Sequence, residues 1–201
     1  MGVTCVTQWP VAEGKSMQQT VDFLTKKAEF MGATKTGTFA VDCDTFHASA
    51  GNPKFINVLH NSEYPKTTFS ITDSNSTLVS DTGFDAILQK LKGIYSTKMS
   101  SRIESKGKRY QLADFIVKVG IVSIGSSNRG ILVEVEYTPC VILQDCWPLL
   151  TEFMQGFLGN GFVPKPPSNL VNKVDVYQPL DTINQYLEHF NQFRKAQVPT
   201  R

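Results

Sequence analysis

One ten-residue apolar run, Phe115–Ile124, constrains the fold more than any other feature of the sequence. Its β-branched and aromatic residues favour a strand. A second strand-like run, Ile131–Tyr137, follows the turn-forming segment Gly125–Gly130, so the two runs predict a hairpin. The first run is almost continuously apolar, which indicates burial on both faces. An antiparallel β-barrel or a strongly curved sheet with flanking helices provides such burial.

Four segments of the sequence have the apolar periodicity of amphipathic helices. We predict helices near residues 16–31, 82–94, 145–158 and 181–195. Ser16 is the expected cap of the first helix and Gly32 its stop. Thr82 and Asp85 have the spacing of a capping box for the second helix, and Pro148 is expected in the first turn of the third.

Shorter strand patterns surround these helices and set the fold class. They occur at Val3–Thr7, Phe39–Asp44, Phe55–Leu59, Thr67–Ile71 and Thr77–Ser80, and again from Met99, with a hairpin turn predicted at Ser105–Lys108. Meandering strands with a few helices predict an α+β fold and not a doubly wound parallel sheet. At 201 residues, we expect a single domain, 1–201.

Composition excludes several classes of protein. The hydrophobic fraction of 41% favours a folded domain over disorder. No apolar run approaches the about 20 residues needed to span a bilayer, and the first residues lack the apolar stretch of a signal peptide. The four cysteines form no C-x-x-C pair, so they are interpreted as reduced structural thiols.

The strongest indication of catalysis is the pair Glu134 and Glu136. Residues two apart on a strand share a face, and two carboxylates inside a barrel can hold Mg²⁺ or Mn²⁺ for triphosphate hydrolysis, as in tunnel-type triphosphatases. However, Thr138 stands where the Glu-x-Glu-x-Lys motif of those enzymes has Lys, and no second Glu-x-Glu pair occurs. The alternative is a solvent-facing polar stripe opposite Val133 and Val135.

Two other motifs favour structural roles over chemistry. His60 is expected to form hydrogen bonds in a strand-to-turn region and not to act in catalysis. The glycines of Gly125–Gly130 have phosphate-loop spacing, but Ile131 and Leu132 follow in place of Lys and Ser or Thr.

A basic stretch, Lys98–Arg109, carries five cationic residues and one acidic residue, Glu104. It is either a docking patch for an acidic partner or a nucleic-acid backbone, or the solvated face of a hairpin. The net charge of +2 and the lack of a recognised reading motif argue against sequence-specific DNA binding.

Apolar side chains in proline-bearing connections are candidates for a protein interface. Trp9 precedes Pro10, and Phe162 and Val163 precede Pro164. Because we expect these side chains to lack a local core partner, we predict that all three contact another protein.

Several segments resemble the family of Mediator complex subunit 20, also described as TRF-proximal proteins. The likeness covers nearly the whole chain and is densest from Tyr110 to Tyr137. The matching segments are Met1–Val6, Pro10–Ser16, Gln19–Val21, His60–Pro65, Leu91–Gly93, Asp114–Phe115, Val117–Gly120, Val133–Tyr137, Pro139–Cys140, Asp145–Trp147 and the final helix.

This resemblance implies an antiparallel barrel with flanking helices and a structural role in the Mediator coactivator complex. It implies a heterodimer with Mediator complex subunit 18 in the head module, tethered by the C-terminal segment of subunit 8. Other head-module subunits and, indirectly, RNA polymerase II are the further partners. It also implies nuclear location, and no enzymatic activity, cofactor, metal or catalytic residue.

Overall fold

The computed structural model describes residues 2–49, 54–97, 102–159, 161–162, 164, 166, 170 and 175–196. The strands are β1 (Val3–Trp9), β2 (Thr34–Ala48), β3 (Phe55–Asn61), β4 (Thr67–Thr72), β5 (Thr77–Asp81), β6 (Tyr95–Thr97), β7 (Ile103–Leu112), β8 (Phe115–Ile124) and β9 (Ser127–Tyr137). The helices are α1 (Met17–Phe30), α2 (Gly83–Lys90), α3 (Leu143–Leu158) and α4 (Pro179–Lys195).

Helix α1 begins and ends where the sequence predicts. The Ser16 hydroxyl accepts from the Gln19 amide at 3.1 Å, and the Gln19 side chain accepts from the Ser16 amide at 2.8 Å. This reciprocal capping box satisfies two of the amides left free at a helix start. Gly32 ends the helix at φ +95°, a conformation that a side chain would strain.

The other three helices depart from their predicted bounds. Thr82 makes no capping hydrogen bond to α2, and the Asp81 carboxylate instead accepts from the Gly83 amide at 2.8 Å. Helix α3 begins two residues earlier than predicted, which puts Pro148 in its second turn and not its first. Helix α4 begins at Pro179, whose fixed φ suits the first helical position.

The nine strands form one sheet in the order β1-β9-β8-β7-β2-β3-β4-β5, and β6 pairs with β2 off this path. The pairs β1–β9, β2–β3, β2–β6, β3–β4 and β4–β5 are antiparallel. The predicted α+β class is confirmed. Of its two forms, the closed barrel is not the one observed, because within the described residues β1 and β5 do not pair with each other.

The hairpin turn predicted at Ser105–Lys108 is wrong, because these residues lie inside strand β7. The strand runs without a break from Ile103 to Leu112. A Cβ on Gly107 would lie 1.9 Å from the Val119 carbonyl oxygen, so this glycine permits close approach of two backbones and not a turn.

The chain divides into two compact units. The first comprises Met1–Thr38, Gly107–Ile121 and Gly130–Arg201, and the second comprises Phe39–Lys106 and Val122–Arg129. The single domain expected from chain length stays a prediction.

The core of the first unit joins α1, α3 and strands β1, β8 and β9. Its fully buried side chains include Leu24, Val117, Val133, Leu150 and Met154. Each helix therefore contributes one apolar stripe to a shared core, as the periodicity predicts.

The free edge of β1 is closed by α4 and by Tyr177, two residues before it. The Gln185 side chain accepts from the Val6 amide and donates to the Thr4 carbonyl, both at 2.9 Å. The Tyr177 hydroxyl also donates to the Thr4 carbonyl, and His189 Nε2 lies 3.0 Å from the Val6 carbonyl. Side chains thus replace the missing strand at this edge.

The core of the second unit is smaller. Leu88 of α2 packs against Phe46, Ile56 and Val58 of β2 and β3, with Phe84 at its margin. Because Leu88 is the buried residue of α2, this helix has little apolar attachment to the sheet. None of the helices in the described part of the chain combines the length and apolar character that crossing a bilayer requires.

Candidate functional site

Glu134, on β9, is buried and fully engaged. Its Oε1 accepts from Lys118 Nζ at 2.9 Å, and its Oε2 accepts from the Tyr186 hydroxyl at 2.5 Å. The side chains of Lys118 and Glu134 are each 2% exposed. The predicted solvent-facing stripe is therefore wrong, because α4 covers the face of β9 opposite Val133 and Val135 and supplies Tyr186.

Glu136 is held separately. Its Oε1 accepts from the Gly2 amide at 2.6 Å, and the carboxylate is buried. A Cβ on Gly2 would lie 1.7 Å from the Tyr137 carbonyl oxygen, so only glycine allows this contact.

The two glutamates therefore do not form a metal site. Each has its own partner from the chain, and a cation would have to displace Lys118 from Glu134. In the parts of the chain that the structure describes, no three His, Cys, Asp or Glu side chains cluster in a way that could hold a metal ion. The arrangement does not favour the triphosphatase alternative.

His60 links two elements of the second unit. It lies on β3 and not in a turn, and its Nδ1 is 3.0 Å from Asp42 while its Nε2 is 2.8 Å from Asp85 of α2. Arg102 also contacts Asp42, at 3.1 Å. Hydrogen bonding to Asp42 raises the pKa of His60 despite partial burial. With both ring nitrogens occupied, His60 has no nitrogen free to act as a base, which agrees with its predicted hydrogen-bonding role.

Three of the described cations in the basic stretch pair with carboxylates of the same chain. Arg102 pairs with Asp42 and Asp44, Lys106 with Glu104 at 2.7 Å, and Lys108 with Asp22 at 3.8 Å. Arg109 donates to the Thr36 hydroxyl at 2.6 Å. Lys98 lies outside the described residues. These contacts weaken the interpretation of a nucleic-acid patch, which needs cations available to phosphates.

The phosphate-loop spacing also has a structural explanation. Strand β8 ends at Ile124 and β9 begins at Ser127, so the turn is two residues long, with Gly125 at φ +57°. A phosphate loop opens a helix, whereas this segment joins two strands.

Trp9 and Phe162 lie together, with ring centroids 6.2 Å apart. Both are half-buried and pack on the core of the first unit, so the expectation that they lack a core partner is wrong for these two. Their role in an interface stays a prediction. Val163 lies outside the described residues.

Sequence reasoning missed the exposed apolar residues of β5, α2 and the turn after it. They are Leu78, Val79, Ile87, Leu91 and Ile94. The signal was present in β5, because adjacent residues of a strand point to opposite faces. Phe30, at the end of α1, is 93% exposed. It falls off the predicted apolar stripe of that helix.

Comparison with known proteins extends across the whole chain. The family model for the TATA-binding related factor (TRF) of subunit 20 of Mediator complex matches residues 1–191. Over 205 residues, the chain is 53% identical to the Mediator of RNA polymerase II transcription subunit 20 of Mus musculus and 52% identical to that of Homo sapiens. Each alignment covers 98% of this chain and 96% of the relative.

Solved structures share the fold at low identity. The PH1012 protein from Pyrococcus horikoshii OT3 aligns with a TM-score of 0.50 and 12% identity, covering 86% of this chain and 100% of that one. This likeness concerns the fold alone. The family, in contrast, is established by the sequence matches, which confirm the resemblance found in the sequence. The chain belongs to the family of subunit 20 of the Mediator complex.

Proposed function

We propose that this chain is a non-enzymatic structural subunit of the Mediator coactivator complex, which supports RNA polymerase II transcription through protein–protein contacts. Family membership over 98% of the chain is the observation that carries the proposal. The geometry agrees with it. The residues with the strongest indication of chemistry, Glu134, Glu136 and His60, are each held by partners within the chain.

The finer assignment places the chain in the nucleus, in the head module of that complex. Its direct partners are Mediator complex subunit 18, as a heterodimer, and the C-terminal segment of subunit 8. Other head-module subunits contact it, and RNA polymerase II is reached indirectly. The support is the resemblance of this sequence to the family, together with apolar side chains such as Val79 and Ile87 that reach solvent in the isolated chain.

Trp9, Phe162 and Val163 are the proposed contact residues. Aromatic side chains anchor interfaces because they bury a large area with few rotatable bonds. Trp9 and Phe162 form one aromatic pair whose outer parts remain accessible, so a partner could cover both together.

Affinity capture tests the subunit assignment. The tagged full-length chain is recovered from nuclear extract, and the associated proteins are identified by mass spectrometry. We expect Mediator subunits, with subunits 18 and 8 in near-equal amounts to the chain after a high-salt wash. Recovery of the chain without Mediator subunits would contradict the proposal, as would hydrolysis of a nucleoside triphosphate with Mn²⁺ that Glu134→Gln abolishes.

A triple variant tests the contact residues. Trp9→Ala/Phe162→Ala/Val163→Ala should reduce recovery of subunit 18 at least about tenfold, since anchor residues typically contribute 2 kcal/mol or more. Phe30→Ala, which removes an exposed aromatic ring elsewhere in the same unit, is the matched control and should leave recovery unchanged. Undiminished recovery with a folded triple variant excludes these residues as anchors.

A further inference from the structure

Strand β5 ends the sheet. Over the described residues it pairs with β4 and has no neighbour on its other side. Its sequence, Thr77–Asp81, contains neither proline nor lysine, and these are common means of blocking an edge.

Two backbone hydrogen bonds show which β5 groups point outward. Thr72 donates to Ser76 at 3.0 Å on the β5 side of β4, and Asp73 donates to Phe55 at 3.3 Å on the β3 side. In an antiparallel ladder the bonded positions alternate, so Leu78 and Ser80 bond to β4. The N–H and C=O groups of Thr77, Val79 and Asp81 therefore face away from the sheet.

The other end of the sheet makes the contrast clear. There, the outward groups of Thr4 and Val6 are satisfied by Gln185, Tyr177 and His189. Among the residues that the structure describes, no comparable partner lies on the outward backbone groups of β5. The β1 edge is therefore closed by side chains of this chain, whereas the β5 edge has backbone groups that can bond an added strand.

Apolar side chains accompany the unpaired backbone. Leu78 is 48% exposed and Val79 is 54% exposed, and they lie on opposite faces of the sheet. Helix α2, which contacts β5, carries the exposed Ile87, and the turn after it carries the exposed Ile94. A strand added beside β5 would remove apolar surface from water on both faces.

We infer that the outward edge of β5 receives an extended segment of another Mediator subunit, which adds to the sheet as a strand. This inference rests on the proposed function and deepens it by naming the surface and the form of the partner. The segment carries apolar side chains next to Leu78 and Val79. It carries no acidic side chain opposite Asp81, since like charges in facing positions repel. A second copy of this chain and the chain's own remaining residues are the alternative occupants.

Hydrogen–deuterium exchange tests the inference on the wild-type protein. Exchange is measured for the chain alone and for the Mediator complex purified through the tagged full-length chain. In the complex, peptides spanning β5 should show up to three additional slow amides, those of Thr77, Val79 and Asp81. Each should slow by at least about tenfold, as a newly bonded amide does. A partner that contacts only side chains would not slow these amides.

A proline variant tests the backbone contact directly. Val79→Pro removes an outward N–H without removing a bond to β4, whereas Val79→Thr keeps the N–H and the branched shape. We expect the added protection to disappear in Val79→Pro and to persist in Val79→Thr. Circular dichroism checks that both variants fold, and the wild-type exchange result stands even if the proline variant does not.

The remaining outcomes separate failure of the inference from failure of the proposed function. If the chain recovers no Mediator subunits, the proposed function fails. If it recovers them and the β5 amides exchange as fast as in the free chain, only the inference fails. Protection in the isolated chain that grows with concentration assigns the edge to a second copy, and concentration-independent protection assigns it to this chain. Both of these results overturn the inference.

Discussion

Lys118 and Glu134 carry opposite charges at a depth that water does not reach. Removing such charges from water is costly, and their attraction offsets the cost only when every polar atom is bonded. Tyr186 completes the arrangement by bonding the second Glu134 oxygen. The three residues come from β8, β9 and α4, so the contact selects one arrangement of these elements.

Replacing one partner should be more damaging than replacing both. Lys118→Met leaves the Glu134 carboxylate buried without its cation, and we expect a loss of about 3–5 kcal/mol in the free energy of unfolding. Lys118→Met/Glu134→Leu should recover part of that loss, because no buried charge remains, although the Tyr186 hydroxyl loses its acceptor. Urea unfolding of the wild type, both single variants and the double variant gives the coupling energy. A Lys118→Met variant as stable as the wild type would contradict the role of the pair.

Gly107 should tolerate no side chain. Gly107→Ala places a Cβ 1.9 Å from the Val119 carbonyl oxygen, so two backbones must separate. We expect a loss on the order of 3 kcal/mol, the upper end of usual overpacking costs. Gly93→Ala is the matched control, because nothing lies within 4 Å of its added Cβ. Thermal unfolding compares the two, and equal melting temperatures would contradict the predicted clash.

The sequence predicted where Glu134 lies but not what surrounds it. Alternation along Ile131–Tyr137 correctly puts Glu134 opposite Val133 and Val135. Local alternation cannot show that Tyr186, 52 positions later, covers the polar face. Burial of a charge depends on a distant partner, and that information is not present in a local pattern.

At the scale of elements, α2 is attached to the sheet through one polar contact and a small apolar cluster. The polar contact joins Asp85 to His60 of β3 at 2.8 Å. Apolar attachment comes chiefly from Leu88. The capping box expected at Thr82 does not form, because Thr82 makes no capping hydrogen bond and the Asp85 carboxylate binds His60.

The attachment of α2 should weaken as pH rises. Asp42 and Asp85 bond His60, Arg102 and Asp44 lie in the same cluster, and the folded-state pKa of His60 is raised. A raised pKa contributes stability that is fully present below the ordinary histidine value of about 6.5. That stability is lost as pH rises through the folded-state value.

Comparison with His60→Gln isolates this contribution. Urea unfolding of both proteins, at intervals from about pH 5.5 to about pH 8.5, gives the difference in free energy of unfolding. The advantage of the wild type should be largest at the acidic end and should shrink steadily above about pH 6.5. A difference that is constant or grows with pH would show that His60 is not held as an imidazolium ion. Burial raises the pKa of Asp44, while the charges of Arg102 and His60 act against that rise.

At the scale of the whole molecule, the sequence predicted an α+β fold with a large antiparallel sheet but not how the sheet ends. Strand and helix periodicity is a local property, and it identified all four helices and most strands. A closed barrel and an open sheet differ only in the contacts of their end strands. The Gln185 bond to Val6 spans 179 positions, which no periodic pattern reports.

The β1 edge of the sheet should depend on the side chain of Gln185. Gln185→Leu leaves the Val6 amide without its side-chain acceptor, while the Thr4 carbonyl keeps the Tyr177 hydroxyl, so we expect a cost of about 1–3 kcal/mol for the one buried group left unpaired. It also opens a second strand edge, so we expect self-association that increases with concentration. Gln192→Leu, on the same helix, alters only an exposed contact with Gln8 and is the matched control. Unfolding measurements and analytical ultracentrifugation test both effects. A Gln185→Leu variant that stays monomeric and as stable as Gln192→Leu would show that α4 does not close this edge.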